Sequence, residues 1–210
     1  MLIVKNLTLS LNGEPLLRNV DFSVAPGEIL TLMGPSGSGK STLFAWMVGA
    51  LAENFRAAGE LWLDNQRCDS LPTERRRIGI LFQDALLFDH FSVGQNLLLA
   101  LAADVRGPQR KAQVEQALER AGLAGFYTRD PATLSGGQRA RVSLLRALLA
   151  RPRALLLDER FNRLDVALRA DFRRWVFNEL ARQAIPAVLV THDDQDTPTG
   201  GRCLHMGLWQ

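Results

Sequence analysis

The chain has 210 residues, of which 47% are hydrophobic, and this is enough to bury the core of one domain with a subdomain. Its two cysteines, Cys68 and Cys203, are far apart and lack metal-ligand spacing, so they predict no disulfide framework and favour a reducing compartment. No apolar run approaches the roughly 20 residues of a membrane-spanning helix, and the N-terminus has no leader pattern. The net charge is +3 and the basic residues are scattered along the chain, so no nucleic-acid binding is predicted.

The first region, residues 1 to 82, is predicted to consist of strands joined by turns. The expected strands are Leu7–Leu11, Leu16-Leu17, Glu60–Leu63 and 78–82, with Asn12-Gly13 as a hairpin turn between the first two. The cluster Arg75-Arg76-Arg77 precedes the last of these strands. We interpret it as a solvated strand entry, in preference to a phosphate-binding patch.

A glycine-rich string inside this region predicts a phosphate-binding loop. The buried strand expected at Ile29–Met33 comes before it, and the run Ser41–Leu51 after it is apolar at helical spacing. The glycines let backbone N–H groups curl around phosphate oxygens, and the helix directs its positive end at the same anion. The predicted nucleotide-binding residues are Gly34, Pro35, Ser36, Gly37, Ser38, Gly39, Lys40, Ser41 and Thr42. Lys40 would reach the outer phosphates and the Ser41 hydroxyl would bind Mg²⁺.

Helical spacing dominates residues 84–150 and predicts a helical subdomain. The expected helices are Val93–Ala102, Lys111–Ala121 and one that begins at Ser135 and runs through Leu149. The last helix starts in Leu134-Ser135-Gly136-Gly137-Gln138, where Ser135 is suited to cap it and two glycines leave N–H groups for an anion. One nucleotide does not need two such devices from one chain. We therefore expect Ser135, Gly136, Gly137 and Gln138 to face a nucleotide held by another chain, in a head-to-tail dimer.

The last region alternates strand and helix again, which predicts the α/β class. Its elements are a buried strand at Ala154–Leu157, a helix at Val166–Arg182 and a strand at Ala187–Val190. The first strand ends in Asp158-Glu159, and strand ends are where α/β sheets place ligands. Asp158 would hold Mg²⁺ and Glu159 could polarise an attacking water, although an acidic pair can also simply end a strand.

In the order and approximate spacing of these motifs, the chain resembles the ATP-binding-cassette (ABC) ATPases over nearly its whole length. The resemblance implies a P-loop NTPase fold in which residues 1–210 form a single nucleotide-binding domain, with 84–150 as its helical subdomain. It assigns Gln83 to sensing Mg²⁺ or the attacking water, and His192 to the γ-phosphate and to positioning Glu159. It also places Asp165 at a dimer interface.

The resemblance further implies a subunit that binds ATP and Mg²⁺, hydrolyses ATP, and lies on the cytoplasmic face of a membrane. It would pair with a copy of itself or another such ATPase and drive separate transmembrane permease subunits. The segments 85–97 and 129–133 look like those of bacterial importer subunits, so import is favoured over export. The other hypothesis is a soluble ATPase switch of the same fold.

The apolar stretch Leu86–Leu101 favours the transporter hypothesis if it lies at a surface. Leu87, Phe88 and Phe91 together would then indicate a partner-binding face, whereas in the other interpretation they belong to the core of the helical subdomain.

The chain departs from the family's pattern at Leu11, at Arg160 and at Phe161-Asn162-Arg163, where small residues are more usual. Leu11 stands where an aromatic residue usually stacks on adenine, so base binding is expected to rest on apolar packing. Arg160 stands where the family has proline after Glu159, and its charge would lower the basicity of that carboxylate.

Overall fold

The structure, a computed structural model, describes residues 1–82, 84–158 and 166–210 of the chain. The strands are β1 (Leu2–Leu11), β2 (Glu14–Val24), β3 (Ile29–Met33), β4 (Phe55–Leu63), β5 (Gln66–Arg67), β6 (Ile78–Leu81), β7 (Ala154–Asp158), β8 (Ala187–Thr191) and β9 (Cys203–His205). The helices are α1 (Lys40–Val48), α2 (Thr73–Arg76), α3 (Val93–Leu98), α4 (Pro108–Arg120), α5 (Gly136–Leu149) and α6 (Val166–Arg182). No helix in these ranges is both long and apolar enough to cross a membrane.

A five-stranded sheet in the order β6-β7-β8-β3-β9 carries the predicted phosphate loop. The pairs β3–β8, β3–β9 and β7–β8 are parallel. Every residue of β3 and β8 is buried, as are Ala154 to Leu157 of β7. Nearly continuous apolar runs of this kind are typical of parallel strands that are covered on both faces, and the expected α/β class is confirmed.

A second, four-stranded sheet in the order β2-β1-β4-β5 is antiparallel. Its first hairpin turns at Asn12 and Gly13, which have φ values of 51° and 91°. Positive φ at both central residues matches the right-handed twist of the flanking strands, so the predicted hairpin is confirmed. Buried and exposed residues alternate along much of β1 and β2, as expected for strands with one face in the core.

The chain divides into two compact units, each with its own hydrophobic core. The first contains Met1–Ile80, β7 and Phe177–Gln210, and the second contains Leu81–Pro152 and the part of α6 up to Val176. The first core packs α1 residues such as Phe44 and Met47 with inward-facing residues of both sheets. The second core joins α3, α4 and α5 through buried leucines and valines, including Leu97, Val114, Leu118, Val142 and Leu145.

Several sequence expectations differ from the observed elements. The helix expected at Val93–Ala102 ends at Leu98, and the strand expected at Glu60–Leu63 begins earlier, at Phe55. The interpretation of Arg75-Arg76-Arg77 as a solvated strand entry is wrong for Arg76, which is 8% exposed. Its guanidinium donates hydrogen bonds to four main-chain carbonyl groups, those of Trp46, Met47, Asp69 and Leu71.

Arg76 therefore closes the C-terminal end of α1, where unpaired carbonyl groups carry the negative end of the helix dipole. Burial lowers the pKa of this guanidinium from its ordinary value. The neighbouring Gly49 ends α1 with a φ of 83°. A Cβ there would come within 2.7 Å of Arg76 Nε, so a side chain at Gly49 would displace the arginine.

Candidate nucleotide-binding site

Three predicted site residues meet at one edge of the parallel sheet. Asp158 is the last residue of β7, and Gly34 and His192 directly follow the ends of β3 and β8. The register pairs Met33 with Thr191 and Asp158 with Val190, so all three strands finish at nearly the same level. This edge, at the carboxyl ends of parallel strands, is where α/β sheets bind ligands.

The loop from β3 to α1 has the backbone geometry of an anion site. Gly37 and Gly39 have φ values of 82° and 90°, which side chains rarely adopt. Gly39 is the N-cap of α1, no side chain caps the helix, and its first turn contains no acidic residue. The first N–H groups of a helix have no acceptor within it, so those of α1 are available to phosphate oxygens.

Lys40 lies across this loop. Its ammonium group donates to the carbonyl oxygens of Gly34 at 2.7 Å and Pro35 at 2.8 Å, and the residue is 6% exposed. A buried ammonium group beside the N–H groups of a helix start can form charge-assisted hydrogen bonds to anionic phosphate oxygens. Lys40 therefore both braces the loop and supplies its positive charge.

The loop is also fitted closely around a buried hydroxyl. Ser38 is 2% exposed, and its Oγ has no hydrogen-bond partner among the described residues. A Cβ added to Gly34 would lie 2.7 Å from that Oγ and 2.9 Å from Met206 Cβ, so only glycine fits there. An unpartnered buried hydroxyl beside uncapped N–H groups fits a ligand with several acceptor oxygens, such as a polyphosphate.

The residues predicted to hold Mg²⁺ fit that ion in chemistry. Ser41, in the first turn of α1, is exposed, and Asp158 is partly buried at the end of β7. Among residues 1–82, 84–158 and 166–210, no three carboxylate, imidazole or thiol side chains gather into a metal site. Mg²⁺ in nucleotide sites takes one or two protein oxygens and obtains its other ligands from water and phosphate, so a hydroxyl and one carboxylate suffice.

The string Leu134–Gln138 forms the start of α5, within the second unit. Ser135 is the N-cap of α5; its Oγ accepts from Gln138 N–H at 3.3 Å, and Gln138 Oε1 accepts from Ser135 N–H at 3.0 Å. This capping box leaves the N–H groups of Gly136 and Gly137 without an acceptor inside the helix. The predicted cap is confirmed. The two helix starts that are predicted to bind phosphate belong to different units.

Three of the predicted site residues, Gln83, Glu159 and Asp165, lie outside the described residues, as does Arg160. Their assigned roles stay predictions. His192, which is described, is exposed at the end of β8.

The sequence predictions missed two side chains that shape the loop after residue 83. Asn96 is fully buried; its Oδ1 accepts from Phe88 N–H at 2.8 Å, and its Nδ2 lies 3.1–3.2 Å from the carbonyl oxygens of Phe88, Phe91 and Ser92. A polar amide inside the apolar stretch Leu86–Leu101 was the available signal, because a buried amide needs partners.

The second missed side chain is Arg146 of α5. It donates to the carbonyl oxygens of Leu86 at 2.8 Å and Ala85 at 3.3 Å, and it lies 5.7 Å from the centre of the Phe88 ring. Burial lowers the pKa of its guanidinium. Arg146 and Asn96 thus hold the loop from opposite ends.

Three exposed apolar side chains lie in this loop or just before it, namely Phe82, Leu86 and Phe88, and are called the loop patch. Their exposed fractions are 45%, 57% and 46%. Leu87 instead points into the core of the second unit, and Phe91 is partly buried. The two interpretations of the apolar stretch therefore each hold for part of it.

Comparison with known proteins follows the same motifs. Residues 17–162 match the ABC transporter family. The chain is 66% identical to the ABC transporter ATP-binding protein YnjD of Escherichia coli (strain K12), over 100% of this chain and 96% of that protein. It is 38% identical to the sulfate/thiosulfate import ATP-binding protein CysA of Gloeobacter violaceus, over 93% of this chain and 56% of CysA. The chain thus spans about half the length of that second relative.

A solved structure has a similar fold along nearly the whole chain. It is a dimeric post-hydrolysis state of the ATP-binding cassette MJ0796 bound to ADP and Pi. The TM-score is 0.79 and the sequence identity 29%, with 98% of this chain and 94% of that chain covered.

Proposed function

The chain belongs to the ABC transporter family of ATP-binding proteins, and on that basis we propose that it is the ATP-hydrolysing subunit of an importer. In this proposal it works as an ATP-bound dimer and drives separate membrane-spanning subunits from the cytoplasmic face. The expected fold, ATP binding and ATPase class are confirmed by the family match and the similar cassette structure. What we propose beyond these points is the importer role, the dimer, the Mg²⁺ site and the membrane-spanning partners.

The residues of the parallel-sheet edge divide the work of hydrolysis. The N–H groups at the start of α1 and the ammonium of Lys40 bind the phosphates, with Lys40 giving up its bonds to Gly34 and Pro35. Mg²⁺, held by Ser41 and Asp158, would supply positive charge to the phosphate oxygens. His192 would contact the γ-phosphate oxygen.

Glu159 and Gln83 would act on the attacking water, with Glu159 as the general base that accepts its proton. Arg160 follows Glu159 in the chain. A guanidinium next to a carboxylate favours the charged form and makes it a weaker base, so we expect slower proton abstraction than with proline at this position.

The second helix start supports a dimer. Ser135, Gly136, Gly137 and Gln138 would bind the nucleotide that a second chain holds on its own α1, and Asp165 would lie at this interface. The N-terminal end of α5 contains no acidic residue, so nothing in its first turn repels a phosphate. The similar cassette MJ0796 is dimeric in its solved structures, which favours the same arrangement here.

The base is expected to bind on aliphatic side chains. Leu11 lies at the end of β1, paired with Glu14 across the hairpin turn. In the same hairpin, Leu16 and Leu17 lie against Gly39, where an added Cβ would be 3.4 and 3.2 Å from their Cγ atoms. Aliphatic packing without a stacked ring discriminates poorly between bases, so we expect GTP to bind nearly as well as ATP.

The loop patch is the observation that carries the transporter role. Leu86 is 57% exposed and has a φ of 46°, a left-handed conformation that costs a leucine about 1 kcal/mol. Arg146 holds this conformation through the Leu86 carbonyl. Strain and apolar exposure at the same residue indicate a surface kept for a partner, and a permease subunit is the partner that the family and the importer relatives favour.

Two experiments test the proposal. Glu159→Gln with ATP should give a dimer on size-exclusion chromatography, and a monomer with ATP bound would refute the ATP-bound dimer.

For the patch, Leu86→Asp is compared with Leu99→Asp, a change at a 59% exposed leucine beyond the loop. Aspartate tolerates the left-handed conformation of Leu86, and Leu99 is exposed with an ordinary φ of −62°, so neither variant should unfold the protein.

The readout is affinity purification from detergent-solubilised membranes of the native host. Wild type and Leu99→Asp should retain a co-purifying membrane-spanning protein, and Leu86→Asp should lose it while keeping its basal ATP hydrolysis. Recovery of wild type without any membrane protein would favour a soluble switch. Export of a substrate by the captured transporter would correct the importer assignment alone.

A further inference from the structure

A fully buried carboxylate lies next to His192 and has no role in the chemistry described so far. Asp196 and Thr191 are both 0% exposed, and the Thr191 hydroxyl donates to Asp196 Oδ2 at 2.8 Å. Burying a carboxylate is expensive unless hydrogen bonds compensate it. The position of Asp196, at the end of the 3₁₀ turn Asp194–Asp196, thus has a cost that a neutral side chain would avoid.

The same hydroxyl connects this carboxylate to the segment that carries His192. Thr191 Oγ1 accepts from Asp193 N–H at 3.1 Å, so the residues before and after His192 are joined through one oxygen atom. Asp196 N–H also donates to the Asp193 carbonyl at 3.1 Å. Asp193 Oδ1 accepts from Gln195 N–H at 2.9 Å and closes the turn. His192 is thereby held at both flanks while it remains exposed.

The strand register places this turn beside the phosphate loop. Thr191 pairs with Met33 in the parallel β3–β8 ladder, and the next residues of the two strands are His192 and Gly34. The direction in which the chain leaves β8 therefore decides how His192 faces the loop. Thr191 and Asp196 set that direction through their hydrogen bond.

We propose that Asp196 is a positioning residue for ATP hydrolysis, which acts through the Thr191 hydroxyl to hold His192 against the phosphate loop. This inference rests on the proposed function, because it takes His192 as a contact of the γ-phosphate. Asp196 itself is buried and touches no substrate. Its effect is on the rate of hydrolysis, since a reacting group displaced by about 1 Å can lose up to about 100-fold in rate.

The test compares steady-state hydrolysis of Mg-ATP by the full chain and its variants. Asp196→Ala should lower kcat about 10- to 100-fold, with KM for ATP changed less than about threefold. Asp196→Asn retains an oxygen that can accept from the Thr191 hydroxyl, so it should restore most of the rate. Equal loss in the Ala and Asn variants, or an unchanged kcat in Asp196→Ala, would overturn the inference.

A matched pair of isosteric changes tests the role of the hydroxyl. Thr191→Val removes the donor to Asp196 and should lower kcat as Asp196→Ala does. Thr197→Val removes another buried hydroxyl of the same segment. This hydroxyl has no hydrogen-bond partner among the described residues, so the kcat of the variant should match wild type. Equal kcat values for these two variants would contradict the inference. The comparison of these two variants remains a valid test if Asp196→Ala does not fold.

His192→Ala separates this inference from the proposed function. It should lower kcat by at least as much as Asp196→Ala, and adding Asp196→Ala to it should cause no further loss. Normal hydrolysis by His192→Ala would refute the role of His192 and with it the inference. If His192→Ala is slow and Asp196→Ala reduces kcat by a further 10-fold or more, Asp196 acts elsewhere and the inference alone fails. As a control, the unfolding curve and the Kd for Mg-ADP of the Thr191→Val variant should equal those of wild type. This result would exclude a general structural defect.

Discussion

Asn96→Ala should destabilise the second unit more than any other single polar change in its loop. The side chain is fully buried, and it serves the loop after residue 83 with one acceptor and one amide group. Alanine removes the acceptor for Phe88 N–H and the donors that face the carbonyl oxygens of Phe88, Phe91 and Ser92. The loop patch would then be held by Arg146 at one end only.

The magnitude follows from these bonds. The Phe88 N–H bond to Asn96 is only partly buried, so its loss and the loss of each amide hydrogen bond to a carbonyl cost about 0.5–1.5 kcal/mol apiece. The amide has two hydrogens for three carbonyl groups, so at most two such bonds are lost together. We therefore expect the free energy of unfolding to fall by about 2–4 kcal/mol.

Urea unfolding followed by tryptophan fluorescence and circular dichroism measures this change. The control is Gln95→Ala, at the neighbouring amide, which is exposed and makes the capping box with Ser92. It should lose about 1 kcal/mol or less. A loss below about 0.5 kcal/mol in Asn96→Ala, or equal losses in the two variants, would refute the argument that Asn96 supports the loop.

Three further predictions follow from other contacts. Lys40→Met should weaken Mg-ATP binding at least about tenfold, because a buried charge-assisted contact to phosphate is lost. An unchanged Kd in a fluorescent-nucleotide titration would contradict the phosphate-loop assignment. Gly94→Ala should lower the free energy of unfolding in urea by about 1–3 kcal/mol, since its Cβ would lie 2.6 Å from ring carbons of Tyr127. If this clash is the cause, adding Tyr127→Ala should relieve part of the loss. Burial alone would raise the pKa of Asp69, but hydrogen bonds from Arg67 and main-chain N–H groups outweigh it and hold the pKa below 3.8. This carboxylate therefore stabilises the fold above its unfolded pKa and loses that contribution as the pH falls through the lowered folded value, so the stability of Asp69→Asn should vary less than that of wild type between pH 5 and 2.

The local geometry of the two helix starts could be predicted because it is encoded within a few neighbouring residues. Gly37 and Gly39 permit the positive φ values of the loop, and Lys40 bonds to carbonyl groups of the same loop. Ser135 and Gln138 make their capping box across one helical turn. Such local patterns keep their meaning wherever the rest of the chain packs.

Helix and strand limits were less predictable where packing competes with local pattern. The apolar spacing of Val93–Ala102 predicts a longer helix than the one that ends at Leu98. The carbonyl of Leu98 instead accepts from Arg110, a residue of α4. Within the same apolar stretch, Leu87 joins the core while Phe88 stays exposed, and hydrophobicity alone does not distinguish them.

The sequence by itself determined the family, the α/β class and the glycine-rich geometry of the two helix starts, because each depends on residues close together in the chain. The tertiary structure decided which polar side chains are buried. Arg76 bonds to carbonyl groups of α1 that are 29 and 30 positions away, and the buried Asp196 accepts a hydrogen bond from Thr191 at the end of β8. A buried polar group is stable only where partners converge on it, and that convergence exists only after the chain has folded.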